Sequence, residues 1–345
     1  MLAVLGLPAG YNFGIDMKMW ATGDKFTGVR GIPPGIHFVY YSTPDDEVRQ
    51  GFFVSIDSGN AAYYRKWCTD SESLVTVTDQ DSLATLTEMY RQDFRYISGL
   101  APFDQCMDEA SIKSWQTASR FLTSDLVQRI QPIKSLSFKS LQQTSEDLVS
   151  RDVPTIFFTD VGKVRIPPGA SSGEITQSHM DKTLQLEQFL QRAQYRSPSD
   201  PIGELQAAFI LLLLGQNYDA FVQWRKMLEL FLGCKENGIR THAPLFTALA
   251  SCLQFQMQQL PDDFLFDAGM TDDDVPHSRR TRREVFVLQL MAEFILTCSD
   301  DSLADEVELQ REVQELDKLL ADKYGNEWTG IFSPENDEDL PVIVS

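Results

Sequence analysis

The chain has 345 residues, 43% of them hydrophobic, and sets 30 Lys and Arg against 50 Asp and Glu for a formal charge of −20. At roughly 150 residues per domain this length predicts about two domains, and the apolar share excludes wholesale disorder. So acidic a chain repels phosphate backbones and anionic lipid, which argues against direct nucleic-acid or membrane binding and points to protein partners.

The charge is unevenly placed: Asp300–Ser345 holds 14 acidic and three basic residues. The longest apolar run, Ala207–Leu214, is eight residues, against the ~20 needed to span a bilayer. Leu2–Leu7 is too short, and too poorly flanked by positive charge, for a signal-peptide core. Cys68, Cys106, Cys234, Cys252 and Cys298 are scattered through hydrophobic segments and read as reduced, buried thiols of an intracellular protein.

The first hundred residues read as strands. Leu2–Leu7, Phe13–Asp16, Ile36–Tyr41, Gly51–Ile56, Ala62–Trp67 and Leu74–Thr78 are short, rich in aromatic and β-branched residues, and separated by Gly, Pro, Asn and Asp. Their close spacing predicts a sandwich or barrel. Pro33-Pro34-Gly35 predicts a turn with positive φ at the glycine, and Ser58-Gly59-Asn60 a hairpin tip. Helical spacing follows over Ser82–Ile97 and resumes through Ile112, Trp115 and Leu126. Gln131–Arg151 is polar and reads as a loop, and Thr155–Thr159 as a strand returning to the first domain.

Ala170-Ser-Ser-Gly173 is the expected linker. Ser171 with Glu174 predicts a capping box for a helix running towards Gln194. Asp200-Pro201 opens another, whose Leu205–Leu214 stretch is apolar on all sides and therefore central. Gly215–Asn217 predicts a tight turn into Tyr218–Leu232. Helices near Ala243–Leu260, Arg283–Cys298 and Leu303–Lys323 follow, the last with Ser302 and Asp305 as its caps. Leu309, Val313, Leu316 and Leu320 read as a stripe facing a core.

No catalytic motif is present. The chain has no Gly-x-Ser-x-Gly elbow and no Walker loop, and His37, His179, His242 and His277 lack metal-ligand spacing. His37, between Ile36 and Phe38, reads as a hydrogen-bonded structural histidine. The acidic runs Asp262-Asp263 and Asp272–Asp274 read as solvated loops, and Arg279–Arg283 as local charge neutralisation. Ser197-Pro198 and Ser333-Pro334 are proline-directed phosphorylation candidates, and Ser278 lies beside the arginine cluster.

Several segments carry a family resemblance. They are Gly6-Leu-Pro-Ala-Gly-Tyr-Asn-Phe-Gly-Ile-Asp16, Trp20, Lys25-Phe-x-Gly-Val29, Ile32-Pro-Pro-Gly-Ile-His-Phe-Val-Tyr-Tyr-Ser42, Glu174-Ile-Thr176, Gly203-Glu-Leu-Gln-x-Ala-Phe209 and Tyr218-x-Ala-Phe-x-x-Trp224. Together they resemble the Aar-two family, assembly factors of the U5 small nuclear ribonucleoprotein. Gly14, Trp20, Gly28 and Gly35 within the signature are expected to fix turns and core. Leu100–Val164 matches poorly.

The resemblance implies an α+β chain of two domains. A mainly-β, sandwich-like domain with added helices (residues 1–169) precedes an all-α domain similar to VHS-type superhelices (170–329) and an acidic tail (330–345). It also implies a non-enzymatic role without a cofactor, in cytoplasm and nucleus. The implied partner is the large U5 scaffold protein, pre-mRNA-processing factor eight, held by its RNase H-like and Jab/MPN-like domains before the helicase loads. The free chain is expected to be a monomer. In the tail, Leu340, Pro341, Val342, Ile343 and Val344 are expected to add a strand to the partner, with the acids of Glu335–Asp339 keeping the free tail soluble. The rival classes are a VHS-like trafficking adaptor and an uncatalogued hydrolase in the first domain.

Overall fold

The computed structural model describes residues 1–45, 49–58, 62–77, 79–131, 156–166, 168–267 and 286–331, with the side chain of residue 179 left aside. The chain falls into two units, Met1–Thr159 with Gln206–Ala220, and Asp160–Leu205 with Phe221–Ser345.

Among the described residues the first unit is built on nine strands: β1 (Leu2–Leu5), β2 (Asn12–Ile15), β3 (Lys18–Ala21), β4 (Gly28–Arg30), β5 (Gly35–Ser42), β6 (Arg49–Ile56), β7 (Tyr63–Cys68), β8 (Ser73–Thr76) and β9 (Leu100–Pro102). They form two sheets, in the orders β8-β7-β1-β4-β9 and β3-β2-β5-β6. The four-stranded sheet is antiparallel throughout, whereas β1 runs parallel to β7 and β4 parallel to β9. Leu2, Val4, Val29 and Leu74 from one sheet meet Phe13, Ile15, Val39, Tyr41, Phe52 and Val54 from the other in one core. Burying each such side chain contributes about 1.5–3 kcal/mol. The expected sandwich is therefore present, and its outer face at Ala3 and Tyr64 is covered by Leu83, Leu86 and Tyr90 of α1 (Gln80–Gln92).

Several expectations need correction. Of the expected hairpin tip Ser58-Gly59-Asn60, residues 59 and 60 lie outside the described residues; the strands on either side, β6 and β7, belong to different sheets and so do not form the expected pair. The helix expected over Ser82–Ile97 is broken at Asp93, whose carboxylate accepts the Arg95 N–H and starts α2 (Phe94–Ser98). After α3 (Phe103–Cys106), α4 (Glu109–Ala118) and α5 (Ser124–Ile130), the chain returns at Ile156–Thr159 without joining a ladder; the Phe157 N–H donates to Ile130 O at 2.7 Å. The expected loop after Gln131 lies outside the described residues.

In the second unit, Asp160–Ile166 runs along α7 (Thr183–Ala193) without regular secondary structure. Gln188 grips the main chain of Arg165 at two points, accepting its N–H at 2.8 Å and donating to its carbonyl at 2.7 Å. Gln185 donates to Gly162 O and Arg192 to Val161 O, at 2.6 and 2.5 Å. The Ser171–Glu174 capping box forms as expected at the start of α6 (Ser172–Met180). The helix does not run on to Gln194, a further correction: Asp181 interrupts it and accepts the Thr183 and Lys235 N–H groups.

Next come α8 (Asp200–Leu213), α9 (Tyr218–Leu232), α10 (Glu236–Thr241), α11 (Ala243–Gln259), α12 (Phe264–Asp267), α13 (Phe286–Cys298), α14 (Val307–Tyr324) and α15 (Asn326–Ile331). Leu309, Val313, Leu316 and Leu320 of α14 are all buried, as their spacing predicts. The Ser302–Asp305 pair does not cap that helix. Asp300 instead caps a short 3-10 turn, Asp301–Leu303, before it. Fully buried Trp224 donates to Gln256 Oε1 at 2.8 Å inside this helical array. The observed class is thus α+β, β-rich first and helical after.

Candidate functional site

The signature residues go into turns and core, as expected. A Cβ on Gly14 would lie 2.3 Å from the Tyr40 ring, and one on Gly28, at φ +133°, 2.1 Å from Leu2 O. Trp20 packs edge-on against Phe13 and Phe26. Gly35 takes φ +141°, which lets the chain turn from Pro34 into β5.

That turn forms the rim of a pocket of about 280 Å³, walled by Ile36, Phe103, Ile112, Trp115 and Leu122 and floored by Asp16 and His37. Asp16 ends the β2 run in the left-handed conformation, φ +53°. It is fully buried; its Oδ1 accepts the Phe38 N–H at 3.0 Å, and its Oδ2 lies 2.7 Å from His37 Nδ1. His37 Nε2 lies 2.9 Å from Pro33 O. A carbonyl can only accept, so Nε2 carries hydrogen, and one further proton is shared between Nδ1 and the carboxylate. Burial pushes the Asp16 carboxyl up, against the opposing pull of His37 and the Phe38 N–H. The Trp115 ring stacks on the imidazole at 6.4 Å and donates its N–H to Ile36 O at 2.9 Å.

With both nitrogens engaged, the imidazole has no lone pair to offer a substrate. It clamps the Pro33–Gly35 turn, which is the structural role expected of it. Sequence reasoning did not find its partners, Asp16 and Trp115, although an acid closing an apolar strand was a usable signal. Among the described residues, no three His, Cys, Asp or Glu side chains converge to hold a metal ion. No helix there is long and apolar enough to cross a membrane.

Of the sequence-predicted site residues, Leu340, Pro341, Val342, Ile343, Val344, Ser278 and Ser333 lie outside the described residues. Ser197 is half-buried in the turn before α8. Its N–H donates to Asp200 Oδ2 at 3.0 Å, and its hydroxyl lies 2.9 Å from that of Ser199. A phosphate on Ser197 would stand against the Asp200 carboxylate, which is itself 3% exposed.

Comparison with known proteins matches both halves. The profile described as the AAR2 N-terminal domain covers residues 1–132, so part of the poorly matching stretch after Leu100 falls inside it. The profile of the AAR2 C-terminal repeat region covers residues 158–329. The Homo sapiens protein AAR2 homolog is 28% identical over 99% of this chain and 92% of its own. The Caenorhabditis elegans homolog is 31% identical over 79% of this chain and 82% of its own. A Saccharomyces cerevisiae relative, named A1 cistron-splicing factor AAR2, is 21% identical over 74% of this chain and 76% of its own. On these matches, which take in the β-rich and the helical parts alike, the chain belongs to the AAR2 family.

Proposed function

We propose that this chain acts in pre-mRNA splicing as a non-catalytic assembly factor of the U5 small nuclear ribonucleoprotein. It binds the RNase H-like and Jab/MPN-like domains of the large scaffold protein, pre-mRNA-processing factor eight, in the cytoplasm, and is replaced by the helicase in the nucleus. The observation that carries this reading is family membership across both parts of the chain, with one relative named as a splicing factor. The clamped state of His37 supports it, because both ring nitrogens of this buried pocket histidine are engaged in holding a turn.

In this reading the tail Leu340–Val344 adds a strand to a sheet of the scaffold. Its β-branched residues favour an extended main chain, and Pro341 suits the first position because it lacks an N–H. The test uses the purified full chain and the purified RNase H-like plus Jab/MPN-like pair. The full chain binds the pair, and deletion of Leu340–Ser345 weakens binding while leaving the thermal melt of the free chain unchanged. Failure of the full chain to bind overturns the function, whereas unchanged affinity after the deletion overturns the tail's part in it. Affinity purification from cell extract supplies a second check, in which coat proteins in place of splicing proteins would favour the trafficking-adaptor class.

A further inference from the structure

Arg65 occupies a position where the sheet calls for an apolar residue. On β7 the alternate residues Tyr63 and Trp67 pack into the core between the sheets, and Arg65 between them points the same way. Its exposure is only 8%, yet no carboxylate among the described residues faces it. Among the described residues, the one titratable group acting on it is the Tyr41 phenol. Its guanidinium lies over the Phe52 ring at 4.3 Å and donates one N–H to Thr76 Oγ1.

Other arginines of the chain are neutralised or held differently. Arg95, Arg225 and Arg311 each pair with a carboxylate, and Arg192 donates to main-chain carbonyls. A buried charge without a counter-charge is costly, and burial pulls the Arg65 guanidinium down to about 10. The spare N–H groups are not sealed in, since no Arg65 nitrogen is among the fully buried atoms left without a partner. The guanidinium lies between Phe52 of β6 and Thr76 of β8, each an edge strand of its sheet among the described residues.

We propose that Arg65 is a receptor for one carboxylate, presented by an acidic side chain of a partner protein. The planar fork matches a carboxylate with two parallel hydrogen bonds. The charge count selects the class of ligand. One guanidinium neutralises one carboxylate, whereas a phosphate dianion would bring an uncompensated charge into a chain already at −20. The neighbouring Tyr41 hydroxyl adds no competing donor, being committed to Gln50 Oε1 while it accepts the Leu74 N–H. The site does not depend on which protein presents the acid.

The test uses the full chain with three probes at matched ionic strength: sodium formate, sodium phosphate, and a blocked Gly-Glu-Gly tripeptide with its Gly-Gln-Gly counterpart. Thermal melts and the Arg65 Nε–H signal in 15N NMR report binding. Formate and the Glu peptide are expected to raise the melting temperature saturably beyond sodium chloride and to move the Nε–H signal, while the Gln peptide does neither. Arg65→Met should melt no lower than wild type in chloride and bind formate at least about tenfold more weakly, with Arg65→Lys between the two. Equal responses of wild type and Arg65→Met, or a wild type that responds only to ionic strength, overturn the proposal. Phosphate binding more tightly than formate overturns the choice of a monovalent ligand. If Arg65→Met fails to fold, the wild-type Nε–H signal decides alone.

Discussion

Replacing Asp16 by alanine strips two buried groups of their partner at once. The Phe38 N–H and His37 Nδ1 both bond to the Asp16 carboxylate, which is itself fully buried. Each buried polar group left unpaired costs about 1–3 kcal/mol. Alanine must also adopt φ +53°, which costs about 1 kcal/mol more. The sum is about 3–7 kcal/mol, a large fraction of ordinary domain stability.

Asparagine is the informative contrast. It tolerates the left-handed conformation, its Oδ1 can accept the Phe38 N–H, and its Nδ2 can donate to Nδ1 of a neutral His37 that still donates to Pro33 O. Asp16→Asn should therefore stay within about 1 kcal/mol of wild type at neutral pH. The pH dependence has a definite sign. The Asp16 carboxyl is raised by burial, so the folded chain holds a proton that the unfolded chain releases above its ordinary value near 3.8. Stability tied to that proton is complete below the ordinary value and is lost as pH rises through the raised one. The asparagine variant has no such proton, so the difference should move in its favour as pH rises. Urea melts of the three proteins between pH 5 and pH 9 measure both effects. An Asn variant as damaged as the Ala variant, or an Ala variant that melts like wild type, would refute the reasoning.

Three further outcomes are expected. Gly28→Ala should cost more than about 2 kcal/mol or abolish soluble expression, because its Cβ would press on Leu2 O within the β1–β4 pairing; the check is yield and a urea melt. Cys234 and Cys298, buried and pushed up to about 12, should resist a thiol reagent at pH 8 until the chain unfolds, whereas half-buried Cys68 and Cys106 should label natively. Ser197→Glu should lower the melting temperature, because its charge meets the Asp200 carboxylate at the same turn; an unchanged melt would show that the turn accommodates a negative group.

The strands with strong side-chain alternation were legible from the sequence, and so were the longer helices. Gly28–Arg30 and Leu100–Pro102 were not, since three residues carry no period and are strands only because each pairs with a segment far away in the chain. Periodicity also says nothing about which sheet a strand joins, hence the expected pairing of β6 with β7, which lie in different sheets. Asp93 and Asp181 passed as polar residues within helices, although Asp93 caps α2 and the Asp181 carboxylate accepts the first N–H of α7. At the pocket, His37 was read correctly as structural from its apolar neighbours. Its contact with Trp115 spans nearly eighty positions, which no local pattern encodes. The inward placement of Arg65 could have been read from Tyr63 and Trp67 on either side.

The grip of α7 on Asp160–Ile166 has a consequence for how this chain can vary. Gln185, Gln188 and Arg192 hold carbonyls and an N–H, which every residue type except proline carries, so the side chains at Lys163 and Arg165 are free to drift without loosening the segment. Gly162 is different. It sits at φ +63°, and a Cβ there would come within 2.3 Å of the Arg192 guanidinium. Selection should thus conserve the three gripping side chains and one glycine while letting the gripped letters scatter, the reverse of what a search for a binding motif in the segment would look for. A protein cut to begin at α6, with Ser172, would leave all three grips empty.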